Sequence, residues 1–564
     1  MRLQLWRSRR PRRSLSVGLL LLFALVLLVA CGGQATPQTV EKVVTQVVEK
    51  QVTTVVEVEK QVTTVVEKEK EVVVTATPAP KTVTIGMTEL VTSLDPPTDW
   101  AIAATWIHMN MFDCLVWRNR GTAAFEPWLA ESYENLDDTT WRFHLRKGIK
   151  FHNGEDFNAD AVVWTYERIL ADNTMITYPQ WTFIKEVKPV DDYTVDIITT
   201  APEPAMLSKM AGTGCGIQAP KQGKEMAEKG AEYKPVGTGP FMFKEWVKDD
   251  HVTLVANPDY WQGKPAIDTL IFRAIPETST RVANLLTHDI DLMVGVPSQD
   301  WERVNSNPGT SVKEYLTNRT MLLALRTGPS DPMPDWNGPT RDVRIRQAIS
   351  LAIDRRALID LVDGMGVPTL SRITPPTLGW SEKFFNQWGE YNPEKARQLL
   401  AEAGYNGEPL TFHASTAFIY EKEVAEAIAA MLQDVGLNID LKVLDVTSFR
   451  EQVYFPNKNQ EIYMDALGNS FFDPWITVKE FEPGQKQRSG WQNEEVDKLT
   501  VEAGQNMDPE ARRAQYIRIQ ELINQDVPHV YLYLMKDAFG KTDRLDFDIG
   551  PDGFLWMGFA KLND

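Results

Sequence analysis

The chain has 564 residues, too many for a single hydrophobic core, so two or more packed units are expected. Its 43% hydrophobic and 24% charged content is that of an ordinary globular protein, and seven histidines and three cysteines, widely scattered, offer no obvious metal cluster. Removing the first thirty residues, with their six arginines and no acids, takes the formal charge from −18 to −24, which excludes nucleic acid as a partner because phosphate contacts need clustered Lys and Arg.

Arg7, Arg9, Arg10, Arg12 and Arg13 precede an apolar run of fourteen residues, Val17 to Ala30. This is the charge-then-apolar order of a secretory signal, too short for a comfortable membrane span. Leu28-Val29-Ala30-Cys31 resembles a bacterial lipobox. Residues 1–30 are therefore expected to be a lipoprotein signal peptide, with Cys31 lipidated and the protein held outside the cytosol, in a periplasm or at the cell surface. Two or three acyl chains anchor firmly where a single chain does not. An ordinary signal peptide with an incidental cysteine is the alternative. Residues 31–80 read as a low-complexity tether, since QVTTVVE stands at 51–57 and again at 61–67. Its valines near a 3.5 spacing suit a heptad seam, but so many β-branched residues suit a lone helix poorly, and a disordered spacer is expected. Of the remaining cysteines, Cys114 and Cys215, sequence allows a disulfide or two buried thiols.

Lys81 to Gly86 alternates like a first strand and Ser93-Leu94-Asp95-Pro96 is a turn. Between Leu129 and Leu170, Trp141, Phe143 and Leu145 alternate with Arg142, His144 and Arg146, the period of a half-buried strand. Lys147-Gly148 is a turn, and Ile149 and Phe151 repeat the alternation in an expected partner strand. After Asn153-Gly154, Asn158 caps a helix with Val162, Val163, Tyr166 and Ile169 on its apolar face. Strands follow at Tyr193–Ile198, Val252–Val255 and Ile267–Phe272, with helices at Met206–Met210 and Thr278–Leu286. The glycine-rich Pro235–Phe241 lacks the Lys-Ser/Thr of a phosphate loop. Asp342 and Asp354 cap further helices, and Tyr391 to Gly404 has an acidic start and a glycine stop. Val424–Leu432 and Glu510–Gln525 are helical, with strands at Leu437–Val443 and Val530–Leu534. Alternating strands and helices imply an α/β fold.

No catalytic constellation stands out: there is no Gly-x-Ser-x-Gly, His-Glu-x-x-His, Cys-x-x-Cys or dinucleotide fingerprint. His144, His152 and Glu155 lie close in sequence, but the strand pattern and the turn give both histidines a surface role. Binding without turnover, without cofactor or metal, is expected.

Several strings together carry a family resemblance. They are the whole of Leu129 to Leu170, the Leu94-Asp95-Pro96 turn, Phe112-Asp113-x-Leu115-Val116, Gly237-Thr-Gly-Pro-Phe241 and Asn257-Pro-Asp-Tyr-Trp261. The chain from about Lys81 to its C-terminus resembles the family 5 extracytoplasmic solute-binding proteins, which include dipeptide- and oligopeptide-binding proteins of ABC importers. The resemblance implies a two-lobed, Venus-flytrap fold of the type II periplasmic-binding-protein class. In it, lobe 1 spans 81–325 with an inserted subdomain at about 116–235, lobe 2 spans 326–535, and 536–564 return to lobe 1. Hinge strands are implied near Leu322–Ala324 and Tyr531–Leu534. It also implies a monomer that captures a small solute between the lobes and delivers it to membrane permease subunits. Ligand contacts would come from Trp100, Ala101, Ile102 and Ala103 and, in the segment Leu467 to Trp475, from Asn469, Ser470, Phe471 and Trp475.

The departures from the family are informative. Ser470 stands where peptide-binding members hold an aspartate for the ligand's ammonium group, and Leu467 replaces a tryptophan. Met464 and Val453 occupy the places of carboxylate-binding arginines. Charge-assisted bonds are the strong ones in a dry cleft, so free dipeptides are expected to bind weakly. A neutral oligosaccharide-like solute is the alternative cargo, and an enzyme or sensor on the same fold ranks behind both.

Overall fold

The computed structural model describes residues 80–563, apart from positions 100, 120–121, 230–233, 332, 455–457, 459, 483–488 and 551, with backbone only at 226–229. The signal peptide, Cys31, all but the last residue of the 31–80 tether, and Trp100 lie outside the described residues. Among the described residues no helix is long and apolar enough to cross a membrane.

Most strands join one mixed sheet of eleven strands. At one end, Thr82–Met87 runs parallel to Thr269–Ala274 and to Leu292–Val294, and His251–Ala256 and Phe241–Val247 extend the edge. At the other end, Leu410–Ala414 lies parallel between Ile439–Val443 and Ile462–Gly468. Each end has its own core: Val83, Ile85, Leu270 and Phe272 in the first, Leu323, Phe412, Ile428 and Met464 in the second. These are the two lobes.

Two long antiparallel strands, Thr310–Leu325 and His529–Thr542, belong to both lobes. The run Met321 to Leu325 is apolar throughout because both faces are covered, as in a buried central strand. Register between the long strands is continuous from Thr310↔Thr542 to Leu316↔Lys536 and resumes at Thr320↔Leu534. Residues 317–319 thus oppose Met535 alone, and such a bulge bends and twists the ribbon. This is where the chain crosses between lobes. The implied hinge positions, Leu322–Ala324 and Tyr531–Leu534, lie on these same two strands, beside a second register shift between Met321 and Leu322, with Leu322 and Tyr531 buried.

The insertion is a four-stranded antiparallel sheet ordered Ala130–Asp137, Thr140–Leu145, Thr194–Thr199, Ile184–Asp191, packed with helix Ala159–Ala171. Asn158 caps that helix by accepting from the Ala161 amide, and Val162, Tyr166 and Ile169 are buried. One expectation is corrected: Thr140–Leu145 pairs with Ala130–Asp137 and Thr194–Thr199, not with Ile149–Phe151. Ile149 and Phe151 are core residues, but positive φ at Gly148 (78°) and Gly154 (87°) turns the chain at both ends, leaving one bridge, Lys150 to Asp156.

The insertion is riveted to the first lobe around Asp113. Its carboxylate accepts from Trp128 Nε1 (2.9 Å), Thr238 Oγ1 (3.0 Å), Trp261 Nε1 (3.1 Å) and Tyr260 OH (3.2 Å). Burial raises its pKa, and these neutral donors oppose the rise. Next to it, Cys114 and Cys215 form a disulfide with Cα atoms 5.3 Å apart, which resolves the alternatives that sequence left open. The glycine-rich segment has a packing role, since a Cβ at Gly237 would sit 2.1 Å from the Met111 carbonyl oxygen.

His152 is also corrected, from a surface group to a partly buried one whose Nδ1 is out of water. Nε2 bonds the Gly239 carbonyl at 2.9 Å, and Nδ1 is buried with no partner among the described residues. A proton on Nδ1 would be unpaired, and burial lowers the pKa from 6.5 to about 4. The unfolded chain therefore binds more protons between these values. The stability that depends on neutral His152 is complete above pH 6.5 and is lost as pH falls toward 4. The His152→Gln variant, which keeps a donor for Gly239, is expected to lose about 2–3 kcal/mol less stability across that window than the parent. Urea unfolding at a series of pH values checks this, and parallel curves would refute it.

Candidate functional site

Between the lobes lies a cavity of about 730 Å³, within the range of about 300–1,000 Å³ common for small-ligand sites. The hinge bulge forms part of its wall: Thr317, Asn318 and Arg319 border it from one strand, and Met535, Lys536 and Asp537 from the other. The first lobe adds Trp106, Trp301 and the loop Gly295–Ser298, and the second adds Phe418 and Tyr420. Helix Ile102–Met111 fixes the remaining edge. Trp106 Nε1 donates to the Gly553 carbonyl (2.7 Å), and Asn110 bonds the backbones of Leu555 (2.7 Å) and Met557 (2.8 Å). The C-terminal return is thereby pinned with Asp552, Gly553 and Phe554 on the wall.

The wall carries charge. Arg319 donates from Nη1 to the Ala466 carbonyl (3.2 Å), and its guanidinium lies 5.7 Å from the centre of the Phe418 ring. Burial pulls its pKa down, and Asp465, Tyr315, Tyr454 and Asp537 act in the opposite sense. Asp537 accepts from Tyr315 OH at 3.1 Å, and burial pushes its carboxyl up. Lys536 is paired with Glu314 at 3.0 Å.

The expected ligand residues are distributed unevenly. Ile102, Ser470 and Phe471 are on the cavity wall. Ala101 is the N-cap of helix Ile102–Met111, and Ala103 is buried in the first-lobe core; neither reaches the wall. Asn469 is also off the wall: its amide turns inward and donates to Thr377 Oγ1 at 3.2 Å. Trp475 is held elsewhere, its ring flanked by Lys209 Nζ (4.6 Å) and Lys479 Nζ (4.7 Å) and its Nε1 on Glu482 (2.9 Å). The reason lies in the loop. Arg512 grips Asp473, and Phe472 takes a left-handed φ of 54°, so the segment 469–475 turns within a few residues and does not present all of its side chains to the cavity. Arg319, Asp537 and Tyr315 escaped the sequence reading. The available signal was an arginine two residues before the five-residue apolar run Met321–Leu325.

The lobes meet on both rims of the cavity. On one, Arg118 donates to the carbonyls of Phe471 (3.0 Å) and Ser470 (3.4 Å) and stacks 4.3 Å over Phe472, while Ser208 also donates to the Phe471 carbonyl. On the other, Ser298 Oγ bonds Asp363 (2.5 Å) and Tyr420 OH (2.6 Å), which bond each other (2.7 Å). Asp363 and Tyr420, like Phe472, have positive φ. Among the described residues no group of His, Cys, Asp and Glu is arranged to hold a metal ion.

A two-lobed α/β body with its cavity at the crossing strands is the architecture of a binding protein. Residues 124–488 match the bacterial extracellular solute-binding proteins, family 5, middle region. The chain belongs to this family. This solute-binding protein is 29% identical over 458 residues to the heme-binding protein A of Haemophilus influenzae, covering 75% of this chain and 81% of the relative. It is 28% identical to the di/tripeptide-binding protein 2 of Pseudomonas aeruginosa, covering 75% and 84%. Its fold matches the periplasmic binding protein DppA of Helicobacter pylori, solved with the peptide STSA, with a TM-score of 0.72 and 24% identity, covering 86% of this chain and 98% of that one.

Proposed function

We propose that this solute-binding protein captures peptide-type solutes for an ABC importer, closing its lobes around them as a monomer and delivering them to membrane permease subunits. Lipidated Cys31 would anchor it, with residues 31–80 as the tether. The observation that carries the reading is the inter-lobe cavity whose wall includes bare backbone at Gly295, Gly468 and Gly553 together with Arg319 and Asp537. Bare backbone suits the main-chain hydrogen bonds by which an extended peptide is held. The di/tripeptide-binding relative and the peptide-bound neighbour support it. Ser470, at the wall, offers a hydroxyl where a carboxylate would favour a free ammonium group.

Native mass spectrometry of the purified protein is expected to show a co-purified peptide. Thermal unfolding with tri- and tetrapeptides at about a hundred times Kd is expected to gain about 2.7 kcal/mol, with little gain from free dipeptides and none from neutral oligosaccharides. Stabilisation by oligosaccharides alone, or chiefly by dipeptides, would overturn the reading. Cys31→Ala is expected to release the protein from the membrane fraction and abolish palmitate labelling.

A further inference from the structure

We propose that Arg319 is the counter-charge for a carboxylate of the bound solute, an assignment that rests on the capture function above and specifies its ligand chemistry. The first ground is position. In a regular strand successive side chains face opposite sides of the sheet, yet Thr317, Asn318 and Arg319 all border the cavity because the bulge re-aims them. Two of the three are occupied in holding the bulge. Thr317 Oγ1 donates to the Met535 carbonyl (2.8 Å) and accepts from the Arg319 amide (3.1 Å), and Asn318 Nδ2 donates to the Asn469 carbonyl (3.2 Å).

The second ground is what Arg319 does with its donors. A guanidinium carries five N–H groups, and among the described residues the Arg319 side chain makes one hydrogen bond, to the Ala466 carbonyl. Among the described residues no carboxylate oxygen lies within 4.0 Å of it. At the cavity wall this partly buried guanidinium has donors to spare for a solute that enters. Its strand neighbour in register is Gly468, which has no side chain to cover the guanidinium from that side. The other cation on the wall, Lys536, is already paired with Glu314.

The third ground is the absence of a rival. Met464 and Val453, the positions where the family resemblance implies carboxylate-binding arginines, are apolar and buried at 0% and 3% exposure. Arg319 sits on the strand next to Met464, whose own partner in register is Leu323. A planar guanidinium there matches a carboxylate with two parallel bonds.

The test uses the full chain and two pools of N-acetylated random tetrapeptides, identical except that one ends in free carboxylates and the other in amides. Calorimetric titration of the wild type is expected to show at least tenfold tighter binding of the free-acid pool. Arg319→Gln should bind both pools equally, near the wild-type value for amides, and Arg319→Lys should restore part of the difference. The empty Arg319→Gln protein should melt no lower than the wild type, a result that a merely structural arginine would not give. Equal binding of the two pools by the wild type, or a preference that survives in Arg319→Gln, would overturn the assignment and leave the peptide reading standing. If neither pool binds, the peptide reading fails. The assignment is then decided by acidic oligosaccharides against their methyl esters: a preference for the acids that Arg319→Gln abolishes upholds it, and any other result overturns it.

Discussion

Replacing Cys114 and Cys215 together with alanine is expected to lower the unfolding free energy by about 4–5 kcal/mol. The bond joins residues 101 apart in sequence, and closing a loop of that size removes about this much conformational freedom from the unfolded chain. The effect is large because the bond staples the insertion to the first lobe beside Asp113, where the two segments otherwise meet through packing and hydrogen bonds to the Asp113 carboxylate. Urea unfolding of the double variant against the parent, both in oxidising buffer, measures it. Adding reductant should bring the parent toward the variant and leave the variant unmoved. A loss below about 1 kcal/mol would show that the unfolded chain is already constrained between these residues.

Arg512→Leu is expected to cost about 3–5 kcal/mol, because it strands a buried carboxylate. Arg512 grips Asp473 with bonds of 2.7 and 2.8 Å, and the two side chains are 4% and 8% exposed. Asp473 also receives the Trp475 amide at 2.9 Å, so the pair ties the loop Asn469–Trp475 to helix Pro509–Asp526. Ser470 and Phe471 ride on that loop, and solute binding should fall along with stability. Asp473→Asn should behave similarly, while replacing both partners by apolar residues of similar volume should recover much of the loss. Chemical denaturation of the three variants gives the coupling energy directly. A coupling under about 1 kcal/mol would make the pair dispensable.

What the sequence revealed depended on how local each signal is. Helix ends were legible because a cap is decided within a turn: Asn158, Asp342 and Asp354 each accept from amides two or three residues on, and Gly404 closes its helix at φ 73°. Strand partners were not, since period-2 alternation is the same whichever strand lies alongside. That is why Ile149–Phe151 looked like a partner of Thr140–Leu145, whose two partners are Ala130–Asp137 just before it and Thr194–Thr199 far along the chain. Family strings led to Ile102, Ser470 and Phe471 on the cavity wall. They did not lead to Arg319 and Asp537, whose placement depends on a register shift between strands more than two hundred residues apart. Asn469 and Trp475 were drawn away from the cavity by Thr377 and by two lysines that no local pattern announces.

The rim contacts carry a kinetic consequence. Arg118 and Ser208 hold backbone carbonyls of the second lobe, and Ser298 holds Asp363 and Tyr420, so the closed form is latched by groups that belong to the protein itself. On the proposed capture function, cargo inside would leave no faster than those latches part. Solutes of different affinity would then share one exit clock, set by Ser298 on one side and Arg118 on the other. Whatever docks against the rims and breaks these bonds holds the key to release.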